Sequence, residues 1–194
     1  MTTTRELRDT TVGGDTWLKR YYFTRAAFSV AWVGAAFGFG DGPTAVVAAL
    51  LLIYPAWDAV ANLVDAQRNG GLRRNRTQAF NTAVSLLTTV AVAIALTQSM
   101  NAVLGVFGVW AALSGILQLA TGVRRWKSVG AQWPMILSGA QSTCAGVMFL
   151  ITSNAPEPPH ITAIAPYAAF GAFYFLISAV WLAVSDARRR RVSR

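Results

Sequence analysis

Residues 77–123 read TQAFNTAVSLLTTVAVAIALTQSMNAVLGVFGVWAALSGILQLATGV, without one Lys, Arg, Asp or Glu. A helix or strand cut from this run has no charged face to turn to water. About 20 apolar residues in helical form cross a bilayer core of about 30 Å, so the run holds two crossings. The polar break Gln98-Ser99-Met100-Asn101 divides them. Two more charge-free runs, Ser128–Pro156 and Ile161–Ser185, follow. Apolar residues make up 54% of the 194-residue chain and charged residues 13%, about half the usual charged share. One cysteine, Cys144, rules out a disulfide scaffold, and the apolar content rules out disorder.

The sequence therefore predicts an all-α, polytopic membrane helical bundle. Six spans are expected at Trp17–Phe39, Thr44–Ala66, Thr77–Thr97, Asn101–Val123, Gln132–Thr152 and Ile161–Ser185. Gly40-Asp41-Gly42-Pro43 is a turn, and Ser153-Asn154 with Pro156, Pro158 and Pro159 cannot continue a helix. A spanning barrel would need alternating apolar and polar residues. Ala45–Ile53 does not alternate.

Every cation falls on one side of this six-span count. Arg5, Arg8, Lys19, Arg20 and Arg25 precede or open span one, and Arg68, Arg73, Arg74 and Arg76 lie between spans two and three. Arg124, Arg125 and Lys127 lie between spans four and five, while Arg188 to Arg191 and Arg194 follow span six. The opposite loops carry only Asp41 and Glu157. The positive-inside rule then puts both termini in the cytoplasm, in the cytoplasmic (inner) membrane. The net charge of +9 reads as an orientation signal with anionic lipid as its partner; nucleic acid is not expected. Residues 1–16 form a polar cytoplasmic tail without the compact apolar core of a cleavable signal. Residues 17–185 form the six-span domain, and 186–194 an Arg-rich cytoplasmic tail. Trp17, Tyr21 and Tyr22, with Trp126 and Trp133, suit an interfacial belt.

The spans read as three hairpin repeats of one orientation. Tyr54-Pro55-Ala56-Trp57 lines up with Phe107-Gly108-Val109-Trp110 and with Phe170-Gly171-Ala172-Phe173. A small or polar residue follows each: Asn62, Gly115, Ser178. Parallel repeats follow from two helices per unit. These units, with Trp110–Gly122, Trp133–Gly139 and Ser142–Gly146, resemble the HdeD-type short-repeat membrane proteins over about residues 20–185. That resemblance implies an inner-membrane location and a role in acid or membrane stress, and it supplies no catalytic residues. The Asp-rich end of span two, Trp57 to Asp65, departs from the repeat.

Arg25 and Asp58 are the charges that cost most in lipid. Both are expected in the cytoplasmic half, paired with each other. Tyr54, Asp58, Asn62 and Asp65 share one helix face. So do Arg25, Ser29 and Trp32; Asn81, Ser85 and Thr88; Ser114, Gln118 and Thr121. Arg25, Asp58, Asn62, Asp65, Ser85 and Gln118 thus form the candidate intramembrane polar site, acting either as hydrogen-bonding glue or as a cytoplasm-facing vestibule. Gly34-Ala-Ala-Phe-Gly38, the stripe Ser138, Ser142 and Gly146, and Ala111 with Gly115 are expected to let helices approach within the chain. A homo-oligomer or a membrane partner protein is the other use of such faces.

Enzyme chemistry finds little here. His160 is the only histidine and lies in an external loop, where it is a candidate sensor of acid. Cys144 reads as an inert packing residue. No phosphate loop, CxxC pair or ligand cluster occurs. No catalytic residue, metal or cofactor is expected. The sequence points to a non-enzymatic membrane protein, with a small transporter or channel around Arg25, Asp58 and Asn62 as the alternative.

Overall fold

The computed structural model describes residues 4–125 and 133–192. Trp126, Lys127 and Arg194 lie outside the described residues, as do the side chains of Arg5, Arg8, Thr121, Arg124, Arg125 and Arg189 to Arg191. Six α-helices are described: α1 Thr4–Gly38, α2 Thr44–Arg68, α3 Arg76–Ala95, α4 Met100–Arg125, α5 Trp133–Thr152 and α6 Ala165–Val192. A 3₁₀ turn, Ile161–Ala163, precedes α6. No strand occurs among the described residues. The apolar runs became helices because lipid gives backbone N–H and C=O groups no partner except one another.

Four helices are long and apolar enough to cross a membrane: α2, α3, α4 over Met100–Ala120, and the stretch Ile161–Arg188 that carries α6. The apolar part of α5, Ile136–Thr152, is shorter. Helix α1 begins well before Trp17. Its 35 residues would measure about 52 Å, longer than a bilayer core. The outward faces are strongly apolar: Leu87 and Ile151 are each 69% exposed and Trp181 is 70% exposed. Such faces need hydrocarbon around them, and the chain is a membrane-type helical protein.

The chain divides into two compact units, Met1–Ala31 with Ala169–Arg194, and Trp32–Ala168. In the first, α1 and α6 run antiparallel. Lys19 Nζ donates to Asp186 Oδ2, and toward the other end Tyr22 stacks on Phe175 with centroids 6.1 Å apart. Arg25 lies with its guanidinium carbon 4.3 Å from the Phe175 ring centre, and its Nη1 donates to Tyr21 Oη at 2.9 Å. A ring face offers a cation a favourable quadrupole where water is scarce. Phe170 and Phe173, which line up with Phe107 and Trp110 in the sequence, are both exposed, whereas Phe107 and Trp110 are buried.

In the second unit the most extensive packing joins α4 to α5, then α2 to α3, with α3 to α4 third. The closest pairs are thus those joined on the basic side. Glycine explains the tightest of them. A Cβ added at Gly115 would lie 2.4 Å from Thr143 N, and one at Gly146 2.4 Å from Ala112 N. One at Gly139 would lie 2.6 Å from Leu119 N, and one at Gly108 3.0 Å from Gly146 O. Backbone therefore touches backbone along an antiparallel seam of Gly108, Ala112 and Gly115 against Gly139, Thr143 and Gly146. Gly115 and Gly146, expected to allow close approach, both lie in it, while Gly139 and Thr143 stand one residue from the expected Ser138 and Ser142, a rotation of about 100° on a helix with 3.6 residues per turn. At the end opposite the basic loop, Asn101 Nδ2 clamps the same pair by donating to Ala155 O at 2.8 Å and Ser153 O at 3.2 Å.

Two packing expectations fail. A Cβ at Gly34 or Gly38 would meet nothing within 4 Å, so that Gly-x-x-x-Gly face is open. Cys144 is exposed and not packed inside; it sits one position past Thr143, turned away from the seam.

An aromatic chain crosses the core of this unit. Trp32 on α1 meets Tyr54 on α2 at 4.7 Å, Tyr54 meets Trp110 on α4 edge-on at 5.9 Å, and Trp110 meets Tyr167 on α6 at 6.2 Å. Phe107 flanks Trp110 at 5.8 Å, and Phe149 on α5 closes on Tyr167 at 6.0 Å. Pro55 lies inside α2 and has no N–H to offer. One residue from the carbonyl it leaves short, Trp32 Nε1 donates to Leu50 O at 2.8 Å.

Candidate functional site

The polar site is built on α2 and α3. Asp58 and Asp65 are seven residues apart on α2, and each is followed four residues on by Asn. Both asparagines bond back in the same way. Asn62 Nδ2 donates to Asp58 O at 2.8 Å and to Asp58 Oδ2 at 2.9 Å. Asn69 Nδ2 donates to Asp65 O at 2.8 Å and to Asp65 Oδ1 at 2.9 Å. Helix α3 supplies the second donor to each carboxylate. Ser85 Oγ donates to Asp58 Oδ2 at 2.7 Å, and Gln78 Nε2 donates to Asp65 Oδ2 at 2.9 Å. Ser85 and Gln78 are also seven residues apart, so two equal rungs join antiparallel helices. The same register sets Leu51 opposite Val92, both fully buried.

Helix α4 closes the upper rung. Trp110 Nε1 donates to Ser85 Oγ at 3.2 Å, inside the core. The Ser85 hydroxyl thus accepts from an indole and donates to a carboxylate. A hydroxyl can do both at once, and bonds to a charged acceptor are the stronger kind. Ten helical residues separate Asp58 from Arg68 at the end of α2, about 15 Å.

Asn62, Asp65 and Ser85 are buried, and Asp58 is half-buried. Of the expected set, the structure brings Asp58, Asn62 and Ser85 into one network and gives Asp65 its own rung. Gln118 is half-buried on α4 and belongs to neither rung. Arg25 lies in the α1–α6 unit, with Tyr21 and Phe175 as its neighbours there. The sequence reading missed Trp110, Gln78 and Asn69 as partners, although the Asp-x-x-x-Asn spacing repeated at 58 and 65 was a visible signal. It also missed Lys19 with Asp186, whose side chains are 20% and 17% exposed.

At the end opposite the basic loops, His160 Nδ1 lies 3.5 Å from Asp41 Oδ1, both well exposed. A shallow recess of about 370 Å³ beside them is lined by Gly40, Val47, Met100, Pro158, Pro159, His160 and Ile161. Among the described residues no three metal-ligating side chains converge.

With this geometry in place, the middle of the chain can be compared with known proteins. Residues 80–151 match a short-repeat family. The matching family model is described as a short repeat of unknown function, DUF308, and HdeD belongs to that family. No curated protein and no solved structure matches the chain. The matched stretch runs from α3 to the end of α5. It holds Ser85, Trp110 and the glycine seam, while Asp58, Asn62 and Asp65 lie before it.

Proposed function

We propose that this chain is a non-enzymatic protein of the bacterial cytoplasmic membrane. It spans six times as three hairpin repeats, has both termini inside, and serves tolerance of acid or membrane stress. The observation that carries the mechanical part of this reading is the hydrogen-bonded network that joins α2, α3 and α4. Asn62 and Ser85 donate to the Asp58 carboxylate and Trp110 donates to Ser85, which is the behaviour of groups that lock helices in register. In lipid, helix association gains nothing from the hydrophobic effect between helices. Close glycine packing and interhelical hydrogen bonds take its place, and this chain uses both. The stress role rests on the short-repeat match and on the resemblance to HdeD-type proteins.

Two experiments test this. Single cysteines at Asn62, Ser85 and Gln118 should resist water-soluble thiol reagents applied from either side of the membrane. A strain lacking the protein should survive acid challenge less well; normal survival removes the stress role and leaves the packing argument standing. The second reading is a small transporter or channel. It is favoured by one feature, a carboxylate within α2 at Asp58. Labelling of all three cysteines, together with liposome flux that changes on Asp58→Asn, would replace the first reading with it.

A further inference from the structure

We propose that the α2–α3 connection is a preformed site for the phosphate headgroup of an anionic phospholipid. The proposal deepens the lipid-partner reading of the basic loops and rests on that reading. Positive-inside charge needs only cations near the membrane; this loop has more than that. Gly70 and Gly71 both take positive φ, +97° and +88°, a conformation that L side chains rarely adopt. They let Gly71 N donate to Ala66 O at 2.8 Å and close α2. Asn75 then ties the loop from the far side. Its Nδ2 donates to Asn69 O at 2.8 Å and to Gly71 O at 3.1 Å, and its backbone N reaches Gly71 O at 3.2 Å. These amide bonds hold the loop.

Arg73, Arg74 and Arg76 are all exposed, as is Arg68. All four cations are arginine, with no lysine among them. The acid nearest in sequence, Asp65, is buried with its oxygens taken by Asn69 and Gln78, and the chain has no other until Glu157. The missing Cβ of Gly70 leaves room for the Arg74 stem, whose Cδ would lie 3.2 Å from it. Leu72, 39% exposed, stands between Gly71 and Arg73 as an apolar contact for the acyl boundary. Guanidinium forks match phosphate oxygens two at a time, and a loop ordered beforehand loses less freedom on binding. An anionic phospholipid offers both the phosphate and the apolar boundary.

The test uses the full-length protein in detergent, titrated with phosphatidylglycerol or phosphatidylcholine and read by native mass spectrometry. Wild type should prefer phosphatidylglycerol. Removing Arg73, Arg74 and Arg76 together (R73Q/R74Q/R76Q) should weaken that preference by about a hundredfold, from about fivefold for each cation near a membrane surface. Asn75→Ala keeps every charge and should still lose about threefold or more, because the loop is no longer held. R73K/R74K/R76K should fall between wild type and the glutamine triple.

Unchanged binding in Asn75→Ala and in the lysine triple would overturn the preformed site while leaving charge attraction in place. A preference lost on Arg188→Gln but kept in the loop triple would move the lipid elsewhere and overturn the loop site alone. No preference in wild type would overturn the lipid-partner reading together with the site. Displacement of bound lipid by a short RNA would replace the proposed partner.

Discussion

Gly146→Ala offers a sharp test of the α4–α5 seam because its sign can be worked out in advance. The new methyl carbon would lie 2.4 Å from Ala112 N, 2.7 Å from Gly108 O and 2.8 Å from Ala112 Cα. All three are backbone atoms and cannot swing aside as a side chain can. Contacts under 3.0 Å essentially never occur at real Cβ atoms, and ordinary contact begins at 3.4 Å. The helices must therefore part by about 1 Å, which loosens the seam at Gly115 and Gly139 as well. Overpacking of this kind costs about 1–3 kcal/mol, and the rigid backbone neighbours argue for the upper end. Alanine returns up to about 1 kcal/mol of helix propensity. The net expectation is a loss of about 1–2 kcal/mol, or about 2–8 °C for a chain of this size. Gly34→Ala is the control. It meets nothing within 4 Å, so it should be neutral or stabilise by up to about 1 kcal/mol. Thermal denaturation of the purified protein in detergent, followed by size-exclusion chromatography, gives both numbers. Wild-type stability in Gly146→Ala and Gly115→Ala, or equal damage from Gly34→Ala, would refute the seam.

Other substitutions address the polar rungs and the first unit. Ser85→Ala removes both the donor to Asp58 and the acceptor of Trp110, and should cost about 1–2 kcal/mol in the same assay; a neutral result would mean the upper rung holds nothing. Asp65→Asn should cost about 1 kcal/mol and make the α2–α3 loop more sensitive to limited proteolysis, whereas an unchanged cleavage rate would count against Asp65 as a loop clamp. Lys19→Met and Asp186→Asn should show a coupling of about 1 kcal/mol in a double-mutant cycle, shrinking in high salt. Additive effects would mean the two do not act together. In native membranes Cys144 should react with a lipid-soluble maleimide and resist a charged one, since it is exposed on an apolar helix; rapid modification by the charged reagent would place it in water.

The helices were legible in the letters, and the packing was not. Two helix bounds fall where the sequence put them: α2 begins at Thr44 and α5 stops at Thr152. Desolvation of a charge is the largest local cost in lipid, so Arg68 and Arg76 mark helix ends plainly. Face-sharing was legible too, since Asp58, Asn62 and Asp65 do lie on one side. Which neighbour each face meets depends on rotation about the helix axis, and one residue of error turns a side chain by about 100°. That is why Gly139 and Thr143 form the seam beside the expected Ser138 and Ser142. Gly34 and Gly38 carried the expected spacing but no facing helix, because a small-residue pattern permits approach without supplying a partner. Lys19 and Asp186 lie at opposite ends of the sequence, and no periodicity links them.

The six crossings, with every basic loop on one side, are tested most directly by cysteine labelling in intact cells, in a Cys144→Ser background. Single cysteines at Gly42, Gln98 and Asn154 should react with a membrane-impermeant maleimide added outside. Cysteines at Gly71 and Arg188 should react only after the membrane is opened. Labelling of position 71 or 188 in intact cells would contradict the topology on which the rest is built.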